Sequence, residues 1–145
     1  MPTIKELDYK QVELCFDLDS NSLNLWSKKQ WESEFLKKGT TIFALSLENK
    51  TIGVCSLEII LDEAQINYFL INKNYRREGH GRYLMLHLLS HCEKRNLKKI
   101  FLEVSELNFE ASKFYESFHF LTIGRRKKYY KDCSDAVLKE KKLLK

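Results

Sequence analysis

Apolar residues recur along the chain at two spacings, and the change from one to the other marks out its elements. In residues 9–19, Val12, Cys15 and Phe16 share one side of a helix. In residues 28–38, Trp31 and Phe35 stand four apart, and Gly39 ends the run. Three β-like runs follow, Thr41–Leu47, Thr51–Leu61 and Ala64–Ile71, with turns at Glu48-Asn49-Lys50 and Asp62-Glu63. Runs so short and so closely joined predict an antiparallel meander. From Asn72 to Arg82 the chain is polar and basic. A helix is predicted from about Gly81 to Arg95, with Leu84, Met85, Leu88, Leu89 and Cys92 as its apolar stripe. Next comes a buried-looking strand, Ile100–Val104, and then a helix with Asn108 as its N-cap. Ala111, Phe114, Tyr115 and Phe118 fall on one face of that helix. Phe120–Tyr130 and Asp135–Leu144 read as two closing strands.

The order is α-α, β-β-β, α, β, α, β-β. A strand–helix–strand unit over residues 64–104 requires a crossover, which places one parallel pair inside an otherwise antiparallel sheet. The expected fold is α+β, a mixed and mostly antiparallel sheet flanked by helices. Its 145 residues carry one Pro and five Gly, with no linker, repeat or low-complexity tract, so a single domain over 1–145 is expected. A hydrophobic content of 43% is that of a globular protein, not a disordered one. No apolar run approaches the roughly 18 residues of a membrane span, and Met1–Glu6 has no signal-like apolar stretch. A cytoplasmic address is expected, with no membrane partner.

Cys15, Cys55, Cys92 and Cys133 are widely spaced, unlike the close pairs of metal sites, and read as small, mostly buried hydrophobes. His87 and His91 are one helical turn apart but lie in no metal-binding motif, so no metal is expected. Charge is lopsided. Residues 1–72 have seven lysines against eleven carboxylates, net −4, whereas residues 73–145 have eighteen basic groups against nine acidic ones, net +9. The second half therefore favours an anionic partner. Nucleic acid, a phosphorylated cofactor or an acidic surface would each satisfy that charge.

Three features carry candidate chemistry. Arg76-Arg77-Glu78-Gly79-His80-Gly81-Arg82 lies between a strand and a helix. A helix N-terminus offers unpaired N–H groups, and glycines let the backbone approach an anion, so this is a candidate phosphate cradle. Glu103 is a carboxylate in the apolar strand Phe101-Leu102-Glu103-Val104; partly desolvated, it suits general-base work. Tyr115 sits on the apolar stripe of the following helix and reads by itself as core.

Arg-Arg-x-Gly-x-Gly-Arg after a strand is similar to motif A of the GCN5-related N-acetyltransferase (GNAT) superfamily. Trp26-Ser27, Leu61-Asp62-Glu63-Ala64, Leu102-Glu103-Val104 with Asn108, Phe114-Tyr115-Glu116-Ser117, Arg126-Lys127-Lys128-Tyr129-Tyr130 and Asp135-Ala136 stand in order around it. Together they resemble the ribosomal-protein-alanine N-acetyltransferase family over essentially the whole chain. The resemblance implies the acyl-CoA N-acyltransferase fold and transfer of acetyl from acetyl-CoA to a protein N-terminus, typically an N-terminal alanine of a small-subunit ribosomal protein. It further implies that the main chain of Phe69, Leu70 and Ile71 holds the pantetheine and acetyl group. Arg77, Glu78, Gly79, His80, Gly81 and Arg82 would wrap the pyrophosphate, and Asn108 would contact CoA. Glu103 would accept the amine's proton and Tyr115 would protonate the departing thiolate.

Departures from the family pattern are Asn72-Lys73-Asn74 in place of Asp-Pro-Asp, Ser105 in place of Arg, His119 in place of Gly, and Ser134 in place of an acid. Ser105 and His119 are expected to border the cleft and to bear on the acceptor. A small amine or a lysine side chain is the competing acceptor class. The basic, aromatic run Arg125–Lys131 also resembles a nucleic-acid surface, although no nucleic-acid motif surrounds it and no nucleic-acid partner is expected.

Overall fold

The computed structural model describes residues 1–143. Its strands are β1 (Thr3–Leu7), β2 (Thr40–Leu47), β3 (Lys50–Ile60), β4 (Glu63–Ile71), β5 (Lys99–Ser105), β6 (Leu121–Arg126) and β7 (Ala136–Lys142). They form one sheet in the order β1-β2-β3-β4-β5-β7-β6. Every pairing is antiparallel except β4 with β5, the parallel pair expected from the crossover. The helices are α1 (Val12–Ser20), α2 (Lys28–Leu36), α3 (His80–Lys94) and α4 (Phe109–Ser117).

Sheet alternation sorts the core into two layers. Phe43 and Leu45 pack on one face with Leu84, Leu88 and Cys92 of α3 and Tyr115 of α4. Ile42 and Ala44 pack on the other face with Cys15 and Leu18 of α1 and Trp31 of α2. Helix starts follow local chemistry. Ser27 Oγ accepts from Gln30 N–H at 3.1 Å while Gln30 Oε1 accepts from Ser27 N–H at 2.7 Å, a reciprocal cap on α2. Asn108 Oδ1 accepts from Ala111 N–H at 3.1 Å and starts α4 as expected.

Three features differ from expectation. β1 was not anticipated. β6 ends at Arg126, so Tyr129 and Tyr130 lie in the β6–β7 loop rather than in a strand. The Leu144 end of the last expected strand lies outside the described residues. The cysteines are mostly buried, as expected: Cys15, Cys55 and Cys92 are buried and Cys133 is exposed.

The third difference, a bulge in β4, shapes the site. In the β3–β4 register Ser56 faces Tyr68 and Leu57 faces Ile66, which leaves Asn67 as a bulge. The extra residue reverses the alternation of β4. Ala64 and Ile66 face α3 and α4, Tyr68 and Leu70 face α1 and α2, and Phe69 and Ile71 return to the α3/α4 side.

Candidate active site

The β4–β5 ladder runs from Glu63↔Lys99 to Ile66↔Leu102 and stops. Beyond it, among the described residues, β4 pairs only with β3, and β5 only with β7. A cavity of about 680 Å³ occupies the opening. Its β4 wall is Phe69, Leu70 and Ile71; its floor and far wall include Ala111, Phe114 and Tyr115 of α4 and Ser105 of β5. A split parallel pair leaves main-chain groups on the β4 edge without strand partners, and these can bond an extended ligand.

At one end the cavity meets the start of α3, where Arg76, Arg77, Gly79, Gly81 and Arg82 line it. Gly79 has φ +85°, a left-handed turn, and a Cβ there would meet open space. Arg77 is left-handed as well, at φ +64°. The loop thus coils into the N-terminus of a fifteen-residue helix, whose free N–H groups and dipole favour an anion. A Cβ on Gly81 would sit 3.4 Å from the Phe114 ring, so larger branches there would enter the ring or the cavity. Arg76 Nε donates to the Ile71 carbonyl at 3.1 Å, fixing the loop to the end of β4. Of the six expected pyrophosphate residues, Arg77, Gly79, Gly81 and Arg82 line the cavity. Glu78 and His80 do not; their side chains pair with each other at 3.3 Å.

Tyr115 is buried, lines the cavity and stands edge-on to Phe69, with ring centroids 6.3 Å apart. Its hydroxyl makes no hydrogen bond among the described residues. Burial, with a smaller effect from the Cys55 side chain, holds its proton well above the usual tyrosine range. Asn108 lines the mouth, its Oδ1 occupied by the α4 cap and its Nδ2 left for a ligand.

Glu103 is not part of the cavity wall. It lies beside the opening on the same strand face as Ser105, which is part of that wall. Its Oε2 accepts from Arg126 Nε at 2.5 Å, and Arg126 in turn lies over the Tyr129 ring at 5.8 Å. Ser105 meets Ser134 through their hydroxyls at 3.3 Å. His119, expected at the cleft, is instead the left-handed residue after α4, at φ +67°, and does not line the cavity.

Sequence reading missed Leu23, Leu107 and Glu110, which also line the cavity. Leu23 comes from the α1–α2 loop, on the other side of the sheet. That loop is anchored by buried Asp19, which accepts from Leu25 N–H at 3.0 Å, Trp26 N–H at 2.9 Å and Trp31 Nε1 at 3.0 Å, and from the Tyr68 hydroxyl. The cavity is therefore walled from both faces of the sheet. Glu110 sits 3.6 Å from both Arg76 Nη1 and Arg77 Nη2, spanning the mouth.

The buried cysteines offer no activated thiol. Burial pushes Cys15 up to about 12 and Cys92 up to about 11. His87 and His91 pack edge-on to Phe43, with ring centroids 4.9 and 5.0 Å away. Among the described residues no group of three or more His, Cys, Asp or Glu side chains is placed to hold a metal, and no helix is long and apolar enough to cross a membrane. The basic hairpin is partly neutralised: Arg125 pairs with Glu106 and Asp135, each at 3.2 Å, and Arg126 with Glu103.

A mixed sheet split between two parallel strands, beside a basic helix N-terminus, suits an extended ligand with an anionic end. Residues 9–120 match the model of the acetyltransferase (GNAT) family, and the chain belongs to that family. It is an acetyl-CoA-dependent N-acetyltransferase. The [ribosomal protein bS18]-alanine N-acetyltransferase of Escherichia coli (strain K12) is 29% identical over 131 residues, 90% of this chain and 88% of the relative. The crystal structure of the ribosomal-protein-S18-alanine N-acetyltransferase from Escherichia coli superposes with a TM-score of 0.94 at 28% identity, covering 100% of this chain and 96% of that one. The structure of Ard1 from Thermoplasma volcanium gives 0.90 at 25% identity, covering 99% of each chain.

Proposed function

We propose that this enzyme acetylates the N-terminal amine of a protein, with the N-terminal alanine of a small-subunit ribosomal protein as its acceptor. The observation that carries this reading is Leu23. It brings the Asp19-anchored α1–α2 loop into the cavity from the face opposite α3 and α4. Cofactor and acceptor then approach from opposite sides of the sheet and meet where β4 leaves β5. The names of the similar E. coli proteins support the ribosomal acceptor. We place the protein in the cytoplasm and read the chain as one acetyltransferase domain.

In this reading the start of α3 binds the pyrophosphate. Arg77, Gly79, Gly81 and Arg82 wrap it, Glu78 and His80 contribute main-chain N–H groups, and Asn108 adds its free amide. The main chain of Phe69, Leu70 and Ile71 holds the pantetheine and polarises the thioester carbonyl. Glu103 takes the proton of the incoming ammonium, directly or through water. The amine attacks the thioester carbon, the carbon–sulfur bond breaks and Tyr115 gives its hydroxyl proton to the departing sulfur, while the second proton that the nitrogen sheds as the amide forms returns through water to the Tyr115 oxygen. No acyl-enzyme forms, in keeping with the raised thiols of the buried cysteines.

The test is one peptide with an internal lysine, offered with its N-terminal alanine either free or blocked, together with labelled acetyl-CoA. Label on the free form alone supports N-terminal transfer. Equal labelling of both overturns it in favour of a lysine or small-amine acceptor. A bulkier first residue should raise the barrier by about 1–3 kcal/mol.

A further inference from the structure

The bulge in β4 is held from a distance by a polar cluster that touches neither the cavity nor either candidate catalytic residue. Glu34 of α2 is only 4% exposed, and its carboxylate is fully engaged. Its Oε2 accepts from Ser56 Oγ at 2.6 Å and from Asn67 Nδ2 at 2.8 Å, while Oε1 lies 3.0 Å from Lys37 Nζ. The second hydrogen of the Asn67 amide goes to Glu58 Oε1 at 3.0 Å, which is also 3.4 Å from Lys37 Nζ. Asn67 is the extra residue of the bulge, and the β4–β5 ladder ends at the residue before it.

A buried carboxylate adds little net stability over a well-packed apolar group, because desolvation offsets its attractions. What this one supplies is direction. It fixes the amide of the single unpaired residue at the place where β4 parts from β5 and reverses its alternation. That reversal turns Phe69 and Ile71 toward α4, where Phe69 meets the Phe114 ring at 5.4 Å and stands beside Tyr115.

We infer that Glu34 and Asn67 are positioning residues for acetyl transfer: their hydrogen bond locks the bulge that aligns the Phe69–Ile71 main chain with Tyr115. The inference rests on the reading of that main chain as the holder of the thioester.

The experiment compares Glu34→Ala, Asn67→Ala, the double variant, Glu34→Gln and a control, Val12→Ala, a buried position on α1 outside the cluster. All are assayed at a temperature where each is folded by circular dichroism. The readouts are kcat and KM on an alanine peptide, and amide hydrogen exchange of residues 67–71 with and without acetyl-CoA. Glu34→Ala and Asn67→Ala should each lower kcat about tenfold or more, since small misplacements at a reacting centre are costly. The double variant should be no worse than either, because both remove one interaction. Glu34→Gln keeps an acceptor oxygen for Asn67 and should restore most of the rate, and Val12→Ala should lose stability without losing kcat.

Wild-type kcat in both alanine variants, or an equal loss in Val12→Ala, overturns the inference. If acetyl-CoA protects residues 69–71 in the wild type and equally in the variants, with kcat unchanged, the inference alone falls. If it protects nothing there in the wild type, the thioester reading fails and takes the inference with it.

Discussion

Glu103 and Arg126 lie on strands that are not neighbours, yet Arg126 Nε reaches across β7 to within 2.5 Å of Glu103 Oε2. The carboxylate proposed to receive the acceptor's ammonium is thus already facing a cation. In the proposed reaction the pair would keep the carboxylate beside the opening until an amine arrives to share it. Glu103→Gln should lower kcat by about a hundredfold, the scale of a lost general base. Arg126→Gln, which leaves that carboxylate in place, should cost less than about tenfold, with acetyl-CoA KM unchanged in both. Initial rates at saturating acetyl-CoA separate the two effects. Equal losses in the two variants would show that the pair, not the carboxylate, is what matters.

Tyr115→Phe removes a hydroxyl that bonds to nothing else among the described residues. The variant should keep the wild-type Tm to within a degree or two and bind acetyl-CoA normally, yet lose about a hundredfold in kcat. Because burial keeps the Tyr115 proton in place well above the ordinary range, the wild-type rate should show no fall from Tyr115 ionisation up to about pH 9. A fall in that range that disappears in Tyr115→Phe would contradict the role.

Glu110 holds both Arg76 and Arg77 at 3.6 Å, at the same end of the cavity where an anion would bind. In the proposed binding mode its carboxylate would compete for the charge that the pyrophosphate needs. Glu110→Gln should therefore tighten acetyl-CoA binding about two- to fivefold, a few tenths of a kcal/mol to one, the scale of exposed ion pairs. The gain should fade as salt is raised. Calorimetric titration at two ionic strengths reads it directly, and weaker binding in the variant would count against competition.

His87 and His91 pack on Phe43, and burial first, then nearby positive charge, holds their proton affinity below the ordinary histidine value of 6.5. The unfolded chain takes up these protons before the folded one does. Stability from this source is complete above about pH 6.5 and is lost as pH falls below it toward the depressed folded values. Tm should decline between about pH 7.5 and 5.5, and His91→Asn should flatten part of that decline. Thermal melts across this range check it; a parallel decline in the variant would exclude His91.

Legibility in the sequence tracked locality. Gly79, Gly81, Arg82 and Tyr115 belong to short motifs whose geometry is set within one loop or one helical turn, and the structure gathers them at one cavity. Glu103 was visible as a charge out of place in an apolar strand, but its partner lies 23 residues away and nothing local announces the pair. Leu23 was invisible for the same reason: an apolar residue in a polar loop becomes part of the wall only through Asp19, Trp31 and Tyr68. β1 is a five-residue edge strand carrying Lys5 and Glu6, too short and too charged for alternation to reveal. The bulge at Asn67 hid in a run that alternates as far as Tyr68 and is then apolar at every position to Ile71, a pattern that does not place an extra residue. Only the pairing of Ser56 with Tyr68 and of Leu57 with Ile66 exposes it.

The separation of β4 from β5 also says what a potent inhibitor should look like. Past Ile66 and Leu102, β4 presents an edge of main-chain groups that no other strand uses. Such an edge selects for an extended molecule with amides at regular intervals, in effect a borrowed strand. A compound that joins a phosphorylated, amide-bearing arm to a peptide amine through one short linker would fill both sides of the opening at once. The second binding event would then be intramolecular, and its affinity would be set by linker length more than by added contacts.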